Sequence, residues 1–169
     1  MTQEIIKASD AFIRDIVGHE VERLGNKADL NHIDVSAVTD MSQLFRSTRF
    51  NGDISKWNVS KVEDMAYMFS ESPFNGDISD WDVSNVKNMD RMFDSSKFNR
   101  DISGWDVSNV LNMDWMFRAS KFNQDLSKWD VSNVENMKGM FNRSPLEEQH
   151  GTNGQKRYFL AKSDSNKHI

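Results

Sequence analysis

Residues 50–73 read FNGDISKWNVSKVEDMAYMFSESP and residues 74–97 read FNGDISDWDVSNVKNMDRMFDSSK. Residues 98–121, FNRDISGWDVSNVLNMDWMFRASK, and residues 122–145, FNQDLSKWDVSNVENMKGMFNRSP, continue the pattern with no insertion. The period is 24 residues, and it holds in several independent columns. Trp57, Trp81, Trp105 and Trp129 share one; Phe45, Phe69, Phe93, Phe117 and Phe141 share a second; Phe50, Phe74, Phe98 and Phe122 share a third. Met41, Met65, Met89, Met113 and Met137 keep step, each three residues after a valine of the series Val38, Val62, Val86, Val110 and Val134. A fixed period of this length is the signature of a repeat architecture, in which one unit cannot bury its apolar side alone and stacks on its neighbours to do so.

Within a unit the pattern changes period. The segment around Ile54, Trp57 and Val59 alternates large apolar with small polar residues and predicts a short strand. Val62, Met65, Met68 and Phe69 then follow at helical spacing, with Ser60 and Glu63 arranged as a capping box that Ser132 and Glu135 repeat. Ser84 and Ser108 keep the cap alone. The polar columns Asn51, Asn75, Asn99, Asn123 and Asp53, Asp77, Asp101, Asp125 are expected to pair with backbone groups that the turns leave open. The competing reading of the aspartates, a calcium ladder, is disfavoured because the glycine spacing of calcium-loaded coils is absent: Gly52 and Gly76 give way to Arg100 and Gln124.

The four repeats, with their W-D/N-V-S-N/K-V-x-x-M-x-x-M-F motif, resemble the BspA-like leucine-rich-repeat surface proteins, the mycoplasma-type repeat, over Asp29–Leu146. The resemblance implies an α/β fold: a right-handed leucine-rich-repeat-like solenoid of about five 24-residue coils, each a short parallel strand plus a short helix. It also implies a bacterial protein whose family members mostly bind other macromolecules at a cell surface, and it brings no catalytic residue. The expected organisation is an N-terminal amphipathic capping helix in 1–28, a solenoid in 29–146 (units near 29–49, 50–73, 74–97, 98–121 and 122–146) and a polar C-terminal tail or cap in 147–169. The helix reading rests on Ile5, Phe12, Ile13, Ile16, Val17, Val21 and Leu24, with Thr2 as N-cap and Gly25-Asn26 as stop. The tail either packs through Tyr158-Phe159-Leu160 or folds only on a partner.

Composition narrows function by exclusion. The chain has 169 residues and no cysteine, so disulfides, thiol nucleophiles and thiolate metal sites are out. Its 21 basic and 26 acidic residues give a net charge of −5, the wrong sign for gripping nucleic acid or an anionic membrane. No apolar run approaches the roughly 20 residues that span a bilayer, so no membrane insertion is expected. With no secretory signal visible, the chain as written reads as cytoplasmic, against the surface or secreted location that the resemblance implies. His19, His32, His150 and His168 lie in no ligand spacing, and no phosphate loop or nucleophile motif is present. The chain therefore reads as non-enzymatic, with no cofactor and no metal.

A repeat scaffold binds through residues that break its repetition. One position varies completely, through Gln43, Tyr67, Arg91, Trp115 and Gly139, off the Val/Met/Phe stripe. Trp115 is the one tryptophan outside the periodic column, and Leu111 replaces the charged Glu63, Lys87 and Glu135 of other units. On a helix Leu111 and Trp115 would touch. Tyr67, Arg91, Leu111, Trp115 and Arg118 are thus the candidate partner-binding residues, an aromatic and arginine composition typical of interface hot spots. The expected function is a protein-binding repeat module that docks a protein partner through these residues on its helix face. The alternative is a small inhibitor or effector that blocks a host or competitor macromolecule through its acidic surface. Open solenoid ends would also favour a homo-oligomer.

Overall fold

The computed structural model describes residues 4–150 and Phe159, so most of the expected tail, and Thr2 as N-cap, lie outside the described residues. The chain opens with a two-residue strand, β1 (Ile6–Lys7), then α1 (Ile13–Leu24) and β2 (Ile33–Asp34); α2 (Pro145–His150) follows the last repeat. β1 and β2 are parallel, with Ile6 opposite Ile33. Beyond them the 24-residue register is visible in the backbone: parallel bridges join Asp40 to Asp64, Asp64 to Asn88, Asn88 to Asn112 and Asn112 to Asn136.

The bridges belong to a wider ladder with one polarity. The N–H groups of Met41, Gln43, Phe45 and Ser47 donate to the carbonyls of Asp64, Ala66, Met68 and Ser70 in the next unit, at 2.8–2.9 Å. The same four bonds recur from Met65, Tyr67, Phe69 and Glu71, from Met89, Arg91, Phe93 and Ser95, and from Met113, Trp115, Phe117 and Ala119. This explains why the segments with helical spacing do not form an α-helix. Their N–H groups alternate between the next unit, as from Met65, Tyr67 and Phe69, and the carbonyl three residues back, as from Met68 and Ser70, and none closes the four-residue bond of an α-helix. The bonds to the carbonyl three residues back close tight turns, such as Met65–Met68 and Phe93–Ser96, whose third residue is left-handed, and φ is positive at Gln43, Ser47, Tyr67, Glu71, Arg91, Ser95, Trp115, Ala119 and Arg143.

The serines placed as helix caps act differently. Ser60, Ser84 and Ser108 each donate both backbone N–H and hydroxyl to the side-chain oxygen two residues earlier, on Asn58, Asp82 and Asp106. Glu63 does not fold back to Ser60; it pairs with Lys87 at 2.7 Å. The Ile54–Val59 stretch is likewise a turn, with Trp57 N–H bonded to Ile54 C=O, and the parallel pairing sits later in the unit. The asparagine column runs unit to unit: the Asn75, Asn99 and Asn123 N–H groups donate to the Oδ1 of Asn51, Asn75 and Asn99. The aspartates hold Asx turns, Asp53 on Ser55 N–H, Asp77 on Ser79 and Asp101 on Ser103, and these bonds lower their pKa values.

Inside, the periodic apolar columns become stacks. Phe45, Phe69, Phe93 and Phe117 lie ring to ring at 5.6–5.7 Å, and each meets the other phenylalanine column, as Phe93 meets Phe98 at 4.2 Å. The indole N–H groups of Trp57, Trp81, Trp105 and Trp129 donate to the carbonyls of Leu30, Ile54, Ile78 and Ile102, so each buried tryptophan ties its unit to the previous one.

The N-terminal end is sealed by a combination that hydrophobic spacing alone did not resolve. α1 starts at Ile13, well inside the 1–28 segment expected to be helical, because residues 6 and 7 pair with β2 and Ser9 C=O accepts from Phe12 and Ile13. Ile13 and Val17 are buried, while Ile5 and Phe12, expected on the same apolar face, are 60% and 62% exposed. Gly25 ends the helix with φ +91 and an N–H bond to Val21. Asp10 accepts from Thr39 N–H and Asp40 N–H at 2.7 and 3.1 Å, positions whose equivalents, Glu63 and Asp64, bond the preceding unit's Thr39 carbonyl.

Gly52 is required by close approach. A Cβ there would overlap the Ala28 carbonyl oxygen, which accepts from Asp53 N–H, and would reach within 2.7 Å of the Phe50 ring. Gly52→Ala is expected to lower stability by about 1–3 kcal/mol, as overpacking does, whereas Arg100→Ala at the equivalent position changes it little. Urea midpoints of the two variants check this.

Candidate functional site

The variable column sits on the left-handed turn of each unit. Gln43, Tyr67, Arg91, Trp115 and Gly139 have φ of +59, +58, +51, +56 and +60. A side chain in this region costs roughly 1–2 kcal/mol, and glycine, as at Gly139, avoids it. Because each residue's N–H bonds the unit carrying the next one, Tyr67, Arg91 and Trp115 occur in consecutive layers.

Cations lie against these rings. The Arg46 and Arg91 guanidinium carbons are 4.8 and 5.4 Å from the Tyr67 ring centre. Arg118 and Lys138 lie 5.7 and 5.9 Å from that of Trp115. The Trp115 ring covers Gly139 so closely that a Cβ there would come within 2.5 Å of it. Arg118 grips the buried Asp94 of the preceding unit with two bonds, Nε to Oδ1 at 2.9 Å and Nη2 to Oδ2 at 2.8 Å, and this carboxylate raises its pKa. Burial pushes Asp90 upward, against the lowering effect of the neighbouring Arg91. The Arg91 Nε is shielded and has no hydrogen-bond partner among the described residues; the nearest acidic oxygen, Asp90 Oδ1, is 3.8 Å away.

Four of the five candidate residues therefore gather on one half-buried stripe, Tyr67 with Arg91 and Trp115 with Arg118. Leu111 is 41% exposed, but the helical face on which it was to meet Trp115 is not formed: its N–H bonds Lys87 C=O and its C=O accepts from Glu135 and Asn136. The reading from spacing missed Arg46, Asp94 and Lys138. The signal for Asp94 was present, since it lies one period before Arg118.

Among the described residues no group of three or more His, Asp or Glu side chains is placed to hold a metal ion. No helix among them is long and apolar enough to cross a membrane.

No curated protein and no solved structure matches the chain. A family profile described as "Mycoplasma protein of unknown function, DUF285" matches twice, over residues 19–118 and 74–153. These spans take in the second half of α1, all the stacked units and α2, and the second match begins at Phe74, the first residue of one 24-residue unit. The chain therefore belongs to this mycoplasma-type repeat family.

Proposed function

We propose that the chain is a non-enzymatic protein-binding module, a right-handed solenoid of the BspA-like leucine-rich-repeat kind, that docks a protein partner through the column of Tyr67, Arg91 and Trp115 with Leu111 and Arg118. The observation that carries this reading is the choice of occupants at a costly backbone position. Three consecutive units place Tyr, Arg and Trp at left-handed φ, where Gly139 shows that glycine fits. Bulky side chains kept at strained positions are characteristic of sites that recognise something. Aromatic rings and guanidinium groups preorganised by stacking also lose little entropy when a partner binds. The W-D-V-S-N-V-x-x-M-x-x-M-F motif supports the BspA-like assignment, and with it a surface location.

Trp115 and Arg118 also hold adjoining units together, through Gly139 and Asp94, so the test uses the other three positions. Affinity capture from the source cell and its surroundings compares the wild type with Tyr67→Ala/Arg91→Ala/Leu111→Ser, circular dichroism confirming equal folding. A protein held by the wild type and lost by the variant is the expected result. The same proteins held equally by both would overturn the assignment.

A further inference from the structure

The polarity of the backbone ladder leaves its two ends chemically opposite. Each inner unit sends N–H donors forward from the methionine column and the residue two later, as Met113 and Trp115 do to the carbonyls of Asn136 and Lys138 at 2.7 and 2.9 Å. In the last described unit the equivalent donors are the N–H groups of Met137 and Gly139, and among the described residues no acceptor faces either. Beside them no donor among the described residues meets the Glu135 C=O; its equivalents on Thr39, Glu63, Lys87 and Leu111 each accept two N–H groups from the next unit. Further along this edge the donor row is closed by the molecule itself, Arg143 N–H by the Glu147 carboxylate at 2.7 Å.

At the N-terminal end the complementary row is carbonyls. Asp64, Ala66, Met68 and Ser70 accept from the unit before them, so the first unit's counterparts are Asp40, Ser42, Leu44 and Arg46. The Ser42 carbonyl is taken by Arg14 of α1 at 2.6 Å, and Asp10 occupies the adjoining N–H groups of Thr39 and Asp40. Among the described residues no donor meets the carbonyls of Asp40, Leu44 or Arg46.

We propose that residues 135–139 form a docking edge for a second copy of this chain, which adds its first repeat unit as the next layer of the stack once its N-terminal cap, β1 and α1, has moved aside. A lone anion would satisfy the Met137 and Gly139 donors but not the Glu135 carbonyl, so the mixed edge selects a polypeptide backbone. Register selects this polypeptide: Asp40 and Ser42 stand in the first unit where Asn136 and Lys138 stand in the fifth, four periods of 24 residues apart. Two C-terminal edges in the register of the stack would set the Met137 and Gly139 donors of one copy against those of the other. Association is therefore head-to-tail, and a heterologous contact of this kind grows into chains unless one end is blocked. Arg14, Asp10 and the buried Ile13 and Val17 supply the block. This edge shares Gly139 with the variable column but none of Tyr67, Arg91 and Leu111, the positions changed in the test of that column, so the two proposals are tested independently.

The test begins with amide hydrogen exchange on the full-length wild type. Met137 and Gly139 are expected to exchange about 100-fold or more faster than Met113 and Trp115, as open and bonded amides do; equal protection would overturn the proposal. Ile13→Asp/Val17→Asp in the full chain ejects α1. Sedimentation velocity of this variant is expected to show concentration-dependent oligomers that added wild type shortens by capping one end. Addition of Met137→Pro, which deletes a donor, returns it to monomer. A monomeric Ile13→Asp/Val17→Asp variant whose Met113 and Trp115 amides remain protected would overturn the proposal, as would oligomers that survive Met137→Pro. If those two amides lose protection, the variant has unfolded, and the wild-type exchange result alone decides.

Discussion

Phe93→Ala is expected to be the most damaging single change in the stack, lowering stability by about 3–5 kcal/mol, the usual range for deleting a buried phenylalanine ring. Phe93 is fully buried and its ring meets four others: Phe69 at 5.7 Å, Phe117 at 5.6 Å, Phe98 at 4.2 Å and Trp105 at 6.4 Å. Few neighbours can close the gap, because the rings on both sides are fixed by the backbone ladder that spaces the units. Position along the stack also matters. In a one-dimensional array each unit contacts only its neighbours, so a central defect weakens two interfaces. Phe141→Ala, in the last unit, is therefore expected to cost less than Phe93→Ala. For a chain of this size the central change corresponds to a fall in melting temperature of about 10 °C. Thermal unfolding followed by circular dichroism measures both variants, and an equal loss at the two positions would show that the array does not behave as a chain of nearest-neighbour interfaces.

The second large effect is electrostatic and lies at the N-terminal cap. Glu20 is buried, its side chain 4% exposed, and it bonds Arg23 at 3.0 Å and His32 Nε2 at 2.8 Å. The Arg23 hydrogen bond is the main cause that holds its pKa down to about 2, from 4.5; burial opposes this and His32 assists. A carboxylate with a lowered folded-state pKa stabilises the fold above its unfolded value and loses that contribution as pH falls through the folded value. The contribution of Glu20 is thus complete above pH 4.5 and disappears towards pH 2. At neutral pH Glu20→Gln is expected to cost about 3 kcal/mol, the size of losing one partner of a buried pair. The gap between variant and wild type should close as pH falls from 4.5 to 2. Asp34, Asp53, Asp77, Asp101, Asp106 and Asp130 are lowered by their serine partners, so they add to acid lability in the same direction in both proteins. Urea midpoints across that pH range test the point; a gap independent of pH would show that the Glu20 charge does not carry the effect.

The same cap links stability to the association proposed above. The Glu20–His32 bond, at 2.8 Å, ties α1 to the residue that precedes β2. Weakening it loosens α1, whose Arg14 takes the Ser42 carbonyl of the first unit.

Much of this protein was legible in its sequence because repetition is a translational symmetry. A tryptophan, phenylalanine or methionine that recurs every 24 residues must occupy the same place in each layer, so the columns of Trp57, Phe45, Phe50 and Met41 name the core without coordinates. The asparagine and aspartate columns were legible for the same reason, as short polar side chains that close turns. What the sequence could not decide was the direction of the backbone hydrogen bonds. Val62, Met65, Met68 and Phe69 have helical spacing, but spacing records only which side chains face inward. Whether Tyr67 N–H bonds within its own turn or reaches Asp90 in the next unit depends on a neighbour being there at the right distance, which only the assembled stack supplies. That choice put Tyr67, Arg91 and Trp115 at left-handed φ, separated Leu111 from the helical face expected for it, and gave the stack a donor end and an acceptor end. Local periodicity thus determined the buried columns, and long-range backbone pairing decided the conformation that presents everything else.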